Sequence, residues 1–403
     1  MGLSDVESKL GLAAAELKKE PKKFLLIGGG GPVGMSLLYQ FKQLGWTAAV
    51  VDPRRPMNYA QHQHELGGTI EKWTVQHYSL GDFQHRVSGE KFDAVIDLTP
   101  TLDKYATIVY CDNLDIPLIN STMVDFKDDI HIAAFNFICE RPHVSKRAHI
   151  VASGMNPGAL NAIAEELIVK EKLAHDDVHG KPDEIVYWEY DGTIPASGKF
   201  QGPSTTWCPG ESGAELTEDW TFEVIEEGSV LLHEDALSWK PQNFSGIGVP
   251  FKQVPIPPKG DAFLCGHEEC LYMGWRHDAA SRFIYGFHKE NMELIRAGGY
   301  CQNPELMVRE HNCELKGEDI VGVSCRFGKE WAGAYCRMSN SEQLPLDTNA
   351  TCWLVAAGIT SSVLALQQDL QPGVYLTHEV PGWMDAFRSL VQVQEYRVSS
   401  EEC

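Results

Sequence analysis

Residues 24–38 read FLLIGGGGPVGMSLL, and the spacing Gly29-x-Gly31-x-x-Gly34 falls where an apolar run gives way to helical spacing. Gly29 permits a tight turn, Gly31 lets the backbone approach a pyrophosphate, and Gly34 lets a helix pack closely on the strand before it. The helix start at Pro32 and Val33 offers partial positive charge to phosphates. Asp52 closes the next apolar run. It can accept both hydroxyls of an adenosine ribose and repel a 2′-phosphate, which favours NAD over NADP. Arg54 and Arg55 pull the other way, because an arginine at that place can hold such a phosphate. Ligands of these sheets bind outside the carboxyl ends of the strands. This adds Thr99, Ser121 and the turn Ser153-Gly154-Met155-Asn156-Pro157-Gly158 to the candidate cofactor set. Asn156 has two readings: a donor to a carboxamide or substrate, or a helix cap with Pro157 at the first helical position. Cys265, His267 and Cys270 stand close together in FLCGHEEC. They lack the second ligand pair of a zinc site, so no metal is expected.

These residues need a scaffold. Strands over 24–29, 47–53, TIEKWTV, 92–100, 117–122 and 149–154 alternate with helices over 32–45 and 103–114 and one within 131–143. Parallel neighbours need crossovers that cover the sheet, so the expectation is an α/β, Rossmann-type doubly wound parallel sheet over residues 22–155. Residues 5–20 have the spacing of an amphipathic helix closed by Pro21, making 1–21 an appendage. A helix over 156–174 opens a second region. Its aromatic, β-branched runs, such as EIVYWEYDG, WTFEVIEEGSVLL and DIVGVSCRFG, predict a mixed or antiparallel sheet in an inserted α+β domain, 156–345. Residues 349–368 predict one long apolar helix, buried between domains, within a return to the first domain over 346–403.

Composition removes several classes. Lys and Arg total 34 against 56 Asp and Glu, a formal charge of −22, which repels phosphate backbones and excludes nucleic acid as an expected partner. The surplus acid is either solvated surface or a field that gathers cations. No run approaches the roughly 18 apolar residues of a membrane span. Eleven cysteines without an apolar leader core suggest reduced thiols and a cytoplasmic protein.

Gly29–Gly34 with Asp52, SGMNPG (153–158), GHEE (266–269), FIYG (283–286), WAGAYCRMS (331–339) and NATCWLVAAGITSSVLAL (349–366) occur in that order. Together they resemble the bacterial homospermidine synthases, a branch of the saccharopine dehydrogenase-like superfamily; the match is loosest over 185–245. The resemblance implies a Rossmann domain interrupted by a catalytic domain, a homodimer, and NAD held as a prosthetic group. It implies oxidation of putrescine to an imine, exchange with a second diamine that releases ammonia, and re-reduction to homospermidine. It places Asn156 in the family's Asn-Pro-Gly turn, and His267 with Glu269 in its His-x-Glu element.

A diamine site needs carboxylates, an aromatic wall and a group titrating near neutrality. His267 is the proton-transfer candidate, and Glu211, Glu223, Glu268 and Glu269 are the carboxylates. Trp207 and Trp220 could present a cation–π face. Each carboxylate has a plain alternative as solvated surface, and each indole as core. Two other functions stand beside this one. A saccharopine- or carboxyspermidine-type reductase would need a basic clamp from Arg276, Arg282 or Arg326, and a silent NAD-binding protein would need no such site.

Overall fold

The computed structural model describes residues 22–401 apart from 57, 78, 80–89, 100–102, 123–133, 135, 138, 140, 142–144, 175–179, 210, 211, 213–220, 226, 227, 234–242, 258–261, 298–307, 310–313, 341–343 and 369. The helix expected over 5–20, most of that expected within 131–143, Glu211 and Trp220 lie outside the described residues. The chain forms two compact units. Met1–Asp125, Cys139–Ala159 and Glu342–Val391 make the first; Phe126–Ile138, Leu160–Ser341 and Gln392–Cys403 make the second.

In the first unit, β1 (Lys23–Ile27), β2 (Thr47–Asp52), β3 (Ile70–Val75), β4 (Ala94–Asp97), β5 (Leu118–Asn120) and β6 (Ala148–Val151) share one sheet with the late strand Gly373–Leu376. Every pairing is parallel, and β1 lies between β2 and β4. The strand order therefore reverses beside β1, the place where such sheets open a crevice for ligands. Phe24, Leu25, Leu26 and Ile27 are all buried, as a strand covered on both faces requires. Helices α1 (Pro32–Leu44), α2 (Tyr59–Leu66) and α3 (Lys104–Asn113) supply crossovers. This is the α/β Rossmann-type sheet that the alternation of runs implies.

The late helix Ala350–Ala365 is buried at every residue but Val355. In the first unit it packs on α1, where Thr360 Oγ1 donates to Gln40 Oε1 and Gln40 Nε2 to the Trp353 carbonyl. The return differs from expectation in extent. Residues 392–403 join the second unit, because Gln394–Ser399 pairs along Glu330–Ser339 there.

The second unit, entered through α4 (Ala159–Ala174), is built on an eight-stranded mixed sheet. Its core is β7 (Glu184–Asp191), with β8 (Phe222–Val224), β9 (Val230–Leu232), β10 (Ala262–Cys265), β11 (Ala280–Phe287), β12 (Glu318–Phe327) and β13 (Glu330–Ser339). The last strand, Gln394–Ser399, lies at one edge. β11 runs parallel to β7, and β12 antiparallel to it. One sheet face is an aromatic core with Trp188, Tyr335 and Tyr396. Gly322 and Gly333 make room for it, since a Cβ at either would stand 2.3 Å from the Trp188 or Tyr396 ring. The opposite face meets α5 (Glu268–His277), a helix missing from the sequence reading; α6 (Lys289–Ala297) follows β11.

Candidate functional sites in the two units

The carboxyl edge of the first sheet is made largely of backbone. Gly28 adopts a left-handed conformation (φ 78°), turning the chain out of β1. Gly34 lies so close to Gly29 that a Cβ would stand 2.5 Å from its Cα, and a Cβ on Gly30 would stand 2.8 Å from Asp52 Cγ. Gly31, by contrast, has nothing within 4 Å of a built Cβ, so its outer side is open. It caps α1 without a side-chain hydrogen bond, and Pro32 begins the helix. Asp52 is buried and fixed by two backbone donors, Gly30 N to Oδ2 and Arg54 N to Oδ1, each at 2.8 Å. The Arg55 guanidinium lies 4.6 Å from the Tyr59 ring centroid. An open, uncapped helix start with an anchored carboxylate at the end of β2 fits a dinucleotide: pyrophosphate at Gly31–Gly34, adenosine ribose at Asp52.

The later strand ends continue this edge. Thr99 donates from N and Oγ1 to Asp97 Oδ1, at 2.9 and 2.7 Å, while Lys104 Nζ reaches Asp97 Oδ2 at 3.2 Å. Ser121 N donates to the Asp97 carbonyl. Asn120 holds the next turn through its side-chain oxygen on Ala152 N and its carbonyl on Ser153 N. Ala152 has φ 50°, a conformation costly for any residue with a Cβ, so the surroundings must enforce it. Gly358 lets the late helix come close to this turn, since a Cβ there would stand 2.0 Å from the Gly154 carbonyl oxygen. Ser153 Oγ meets Ser362 Oγ at 2.6 Å, and Thr377 Oγ1 donates to the Gly158 carbonyl. Within Ser153–Gly158 only Asn156 is not buried. Helix α4 begins at Ala159, so Pro157 is not its first residue and the cap reading of Asn156 does not match the helix.

In the second unit, His267 and Glu269 converge. His267 is the N-cap residue of α5, and its Nδ1 stands 2.7 Å from Glu269 Oε2. A carboxylate on Nδ1–H leaves Nε2 as the nitrogen that exchanges a proton. Glu269 is fully buried, and its Oε1 has no hydrogen-bond partner among the described residues. The imidazole stacks on Phe283 of β11 with centroids 4.5 Å apart. Phe283 is in register with Tyr187, and Tyr285 with Glu189. Tyr187, Glu189 and Asp191 therefore share one face of β7, and Asp319, opposite Asp191, continues it. Glu189, Asp191 and Asp319 are all buried. Burial pushes the carboxyl of Asp191 upward in pKa, and pushes the Tyr187 phenol well above its ordinary range, next to Cys270, Cys325 and Glu269.

The other candidates separate. Glu268 is buried and accepts from Tyr272 Oη, one turn along its own helix, at 2.7 Å. Glu223 does not share the face of His267: its neighbour Val224 pairs with Ser281 on that side, so Glu223 points to the other and meets His233 Nε2 at 3.1 Å. Trp207 is half-buried in a strap that Asp191 and Asn291 anchor. Glu189 and Asp191 were missed because VYWEYDG reads only as an aromatic strand, and Asp319 because DIVGVSCRFG reads only as a β-branched one. The alternation Tyr187, Glu189, Asp191 was the available signal.

His277 Nε2 and the Arg276 guanidinium both engage Glu165 on α4, at 2.7 and 3.1 Å. Burial raises the Glu165 pKa, but these hydrogen bonds outweigh it and hold the carboxyl at about 2. Among the described residues no group of three His, Cys, Asp or Glu could hold a metal ion, and no helix is long and apolar enough to cross a membrane.

No protein-family model matches the chain, and no curated protein matches it. Solved structures do. The homospermidine synthase of Legionella pneumophila, in complex with NAD, is similar with a TM-score of 0.78 over 94% of this chain and 91% of that one, at 15% identity. An oxidoreductase from Sinorhizobium meliloti (TM-score 0.39, 9% identity, 92% and 95% covered) follows the chain far less well. So does the WlbA dehydrogenase of Thermus thermophilus in complex with NAD and UDP-GlcNAcA (0.35, 14%, 88% and 97%). The fold is thus that of the Legionella enzyme along nearly the whole chain.

Proposed function

We propose that this protein is an NAD-dependent enzyme of homospermidine synthase type that joins two diamines with loss of ammonia. The observation that carries this reading is one face of the second unit, where the buried carboxylates Glu189, Asp191 and Asp319 lie beside Phe283 and Tyr285, with the His267–Glu269 pair on the same side. A face rich in carboxylates is complementary in charge to a dication. The same charges turn away substrates bearing a carboxylate.

In the first unit, Gly29, Gly31, Pro32, Val33 and Gly34 hold the dinucleotide phosphates and Asp52 the ribose. Thr99, Ser121 and Asn156 border the nicotinamide end. NAD bound there would supply a hydride acceptor for the amine-bearing carbon and a hydride donor for the exchanged imine, with no net redox change. His267 Nε2 accepts the proton of a substrate ammonium, which frees the nitrogen lone pair, and gives it to the departing ammonia. Glu269 keeps the proton on Nδ1 and stabilises the imidazolium, and Glu189 holds an ammonium. A homodimer and a cytoplasmic setting belong to the same proposal.

The three arginines that a reductase's clamp would draw on are each engaged by carboxylates. Arg276 is paired with Glu165, Arg282 with Glu184, and Arg326 with Glu184 and Asp183. Incubated with NAD and putrescine, the protein is expected to release ammonia and homospermidine in equal amounts without accumulating NADH. Accumulated NADH, or turnover only with an α-keto acid and an amine, would contradict the proposal.

A further inference from the structure

Asn58 is the N-cap residue of α2, and an asparagine at that place ordinarily accepts a hydrogen bond from the first turn of its helix. Here its side chain makes no such bond. Its Nδ2 instead donates to Asp347 Oδ1 at 3.2 Å, across 289 residues of sequence. Asp347 Oδ2 stands 2.7 Å from Nε2 of His62, a fully buried residue one turn into the same helix. The start of α2 is therefore fastened to one carboxylate by two side chains. Asp347 itself has φ 60°, a left-handed setting that costs free energy and persists only where the surroundings enforce it. It lies two residues before Asn349, whose side chain caps the late helix by accepting from Cys352 N at 2.9 Å. The carboxylate is thus presented from a fixed helix end.

We propose that Asp347 is a positioning residue for the adenosine end of the dinucleotide, acting through Asn58 on the loop that follows Asp52. This rests on the dinucleotide reading of the first unit. The loop is tied to a carboxylate at each end: Arg54 N donates to Asp52 Oδ1, and Asn58 Nδ2 to Asp347 Oδ1. Between the ties it closes on the phosphate turn, since a Cβ on Gly30 would stand 2.9 Å from the Arg54 carbonyl oxygen. The Arg55 guanidinium rests on Tyr59, the first residue of α2, so its setting follows that of the helix. Released at Asn58, the loop would sample other settings. A ligand that needs one setting binds more weakly in proportion to how seldom that setting is populated. Arg54 and Arg55, which could admit a 2′-phosphate, lie within this loop, so its setting also bears on the choice between NAD and NADP.

The test measures nucleotide affinity of N58A and D347N in the full-length protein freed of bound nucleotide. N58A removes the tie without removing a helix cap, and D347N keeps a side chain that tolerates a left-handed backbone while losing the charge. Each is expected to weaken binding of NAD and of ADP-ribose roughly tenfold, the effect of a competent loop setting that falls to about one tenth of the population. NADP should lose less, because a freed loop lets Arg54 or Arg55 turn to the 2′-phosphate, and the preference for NAD narrows. The double variant should be no weaker than D347N alone, since both changes act through one contact. N58A alone decides the matter where D347N does not fold. Parental NAD affinity in N58A, an unchanged preference between NAD and NADP, or additive losses would overturn the inference while leaving the dinucleotide reading intact. A parent chain that binds neither NAD nor ADP-ribose would overturn both.

Discussion

The two units solve the same problem with opposite materials. In the first, the candidate cofactor site is shaped by backbone: the close approaches of Gly34 to Gly29 and of Gly358 to Gly154 leave no room for a side chain. In the second, the candidate substrate site is shaped by side chains from separate elements: His267 and Glu269 from α5, Phe283 and Tyr285 from β11, Glu189 and Asp191 from β7, Asp319 from β12. A backbone-built site should fail when a methyl is added. A side-chain-built site should fail when a charge is removed, even at constant shape.

The sharpest way to break this contrast is at the glycines. G358A would force a Cβ to within 2.0 Å of the Gly154 oxygen, and G34A to within 2.5 Å of Gly29 Cα. Each is expected to cost about 3 kcal/mol or more by overpacking, read as a lowered midpoint in thermal unfolding, and to abolish dinucleotide binding. G31A is the control. Its backbone (φ −83°, ψ 171°) suits alanine and its Cβ meets nothing, so stability should hold while NAD affinity falls. A stability loss in G31A equal to that in G34A would erase the distinction.

The next effect belongs to the second unit. E269Q preserves size but removes the charge that fixes the proton on His267 Nδ1. Turnover should fall by about a hundredfold or more, with NAD affinity and unfolding midpoint close to those of the parent chain. A parental rate would remove Glu269 from the proposed chemistry.

A smaller effect concerns pH. Glu165 titrates at about 2 in the folded chain against an ordinary 4.5. A depressed carboxylate stabilises the fold above its unfolded pKa and loses that contribution as pH falls through the folded one. Stability from the contacts with His277 and Arg276 is therefore present above about 4.5 and disappears between about 4.5 and about 2. Acid titration of unfolding should show a shallower slope in E165Q over that window. An identical slope would show that the ion pair does not contribute.

The same contrast explains what could be read ahead of the structure. Gly29–Gly34, Asp52 and the α/β alternation were legible because a strand, a turn and a helix start are local events, encoded within about thirty residues. His267 and Glu269 were found through the resemblance, and their contact is also local. Glu189, Asp191 and Asp319 were not found, because a buried acid is revealed only when register brings β7, β11 and β12 side by side. Glu223 was chosen by composition and falls on the wrong face by the parity of one strand. Helix α5 was overlooked because GHEEC begins with residues that serve equally in a turn. The late helix was legible as apolar, but its tie to Gly154 depends on a single glycine, Gly358.

The central claim is that oxidation and re-reduction occur on one substrate without release of reducing equivalents. Putrescine deuterated at both amine-bearing carbons, incubated with the protein, unlabelled NAD and a pool of unlabelled NADH, tests it through the mass of the product. Homospermidine that retains the full complement of deuterium is the expected result. Product short of one deuterium, with label appearing in the free NADH, would contradict the claim.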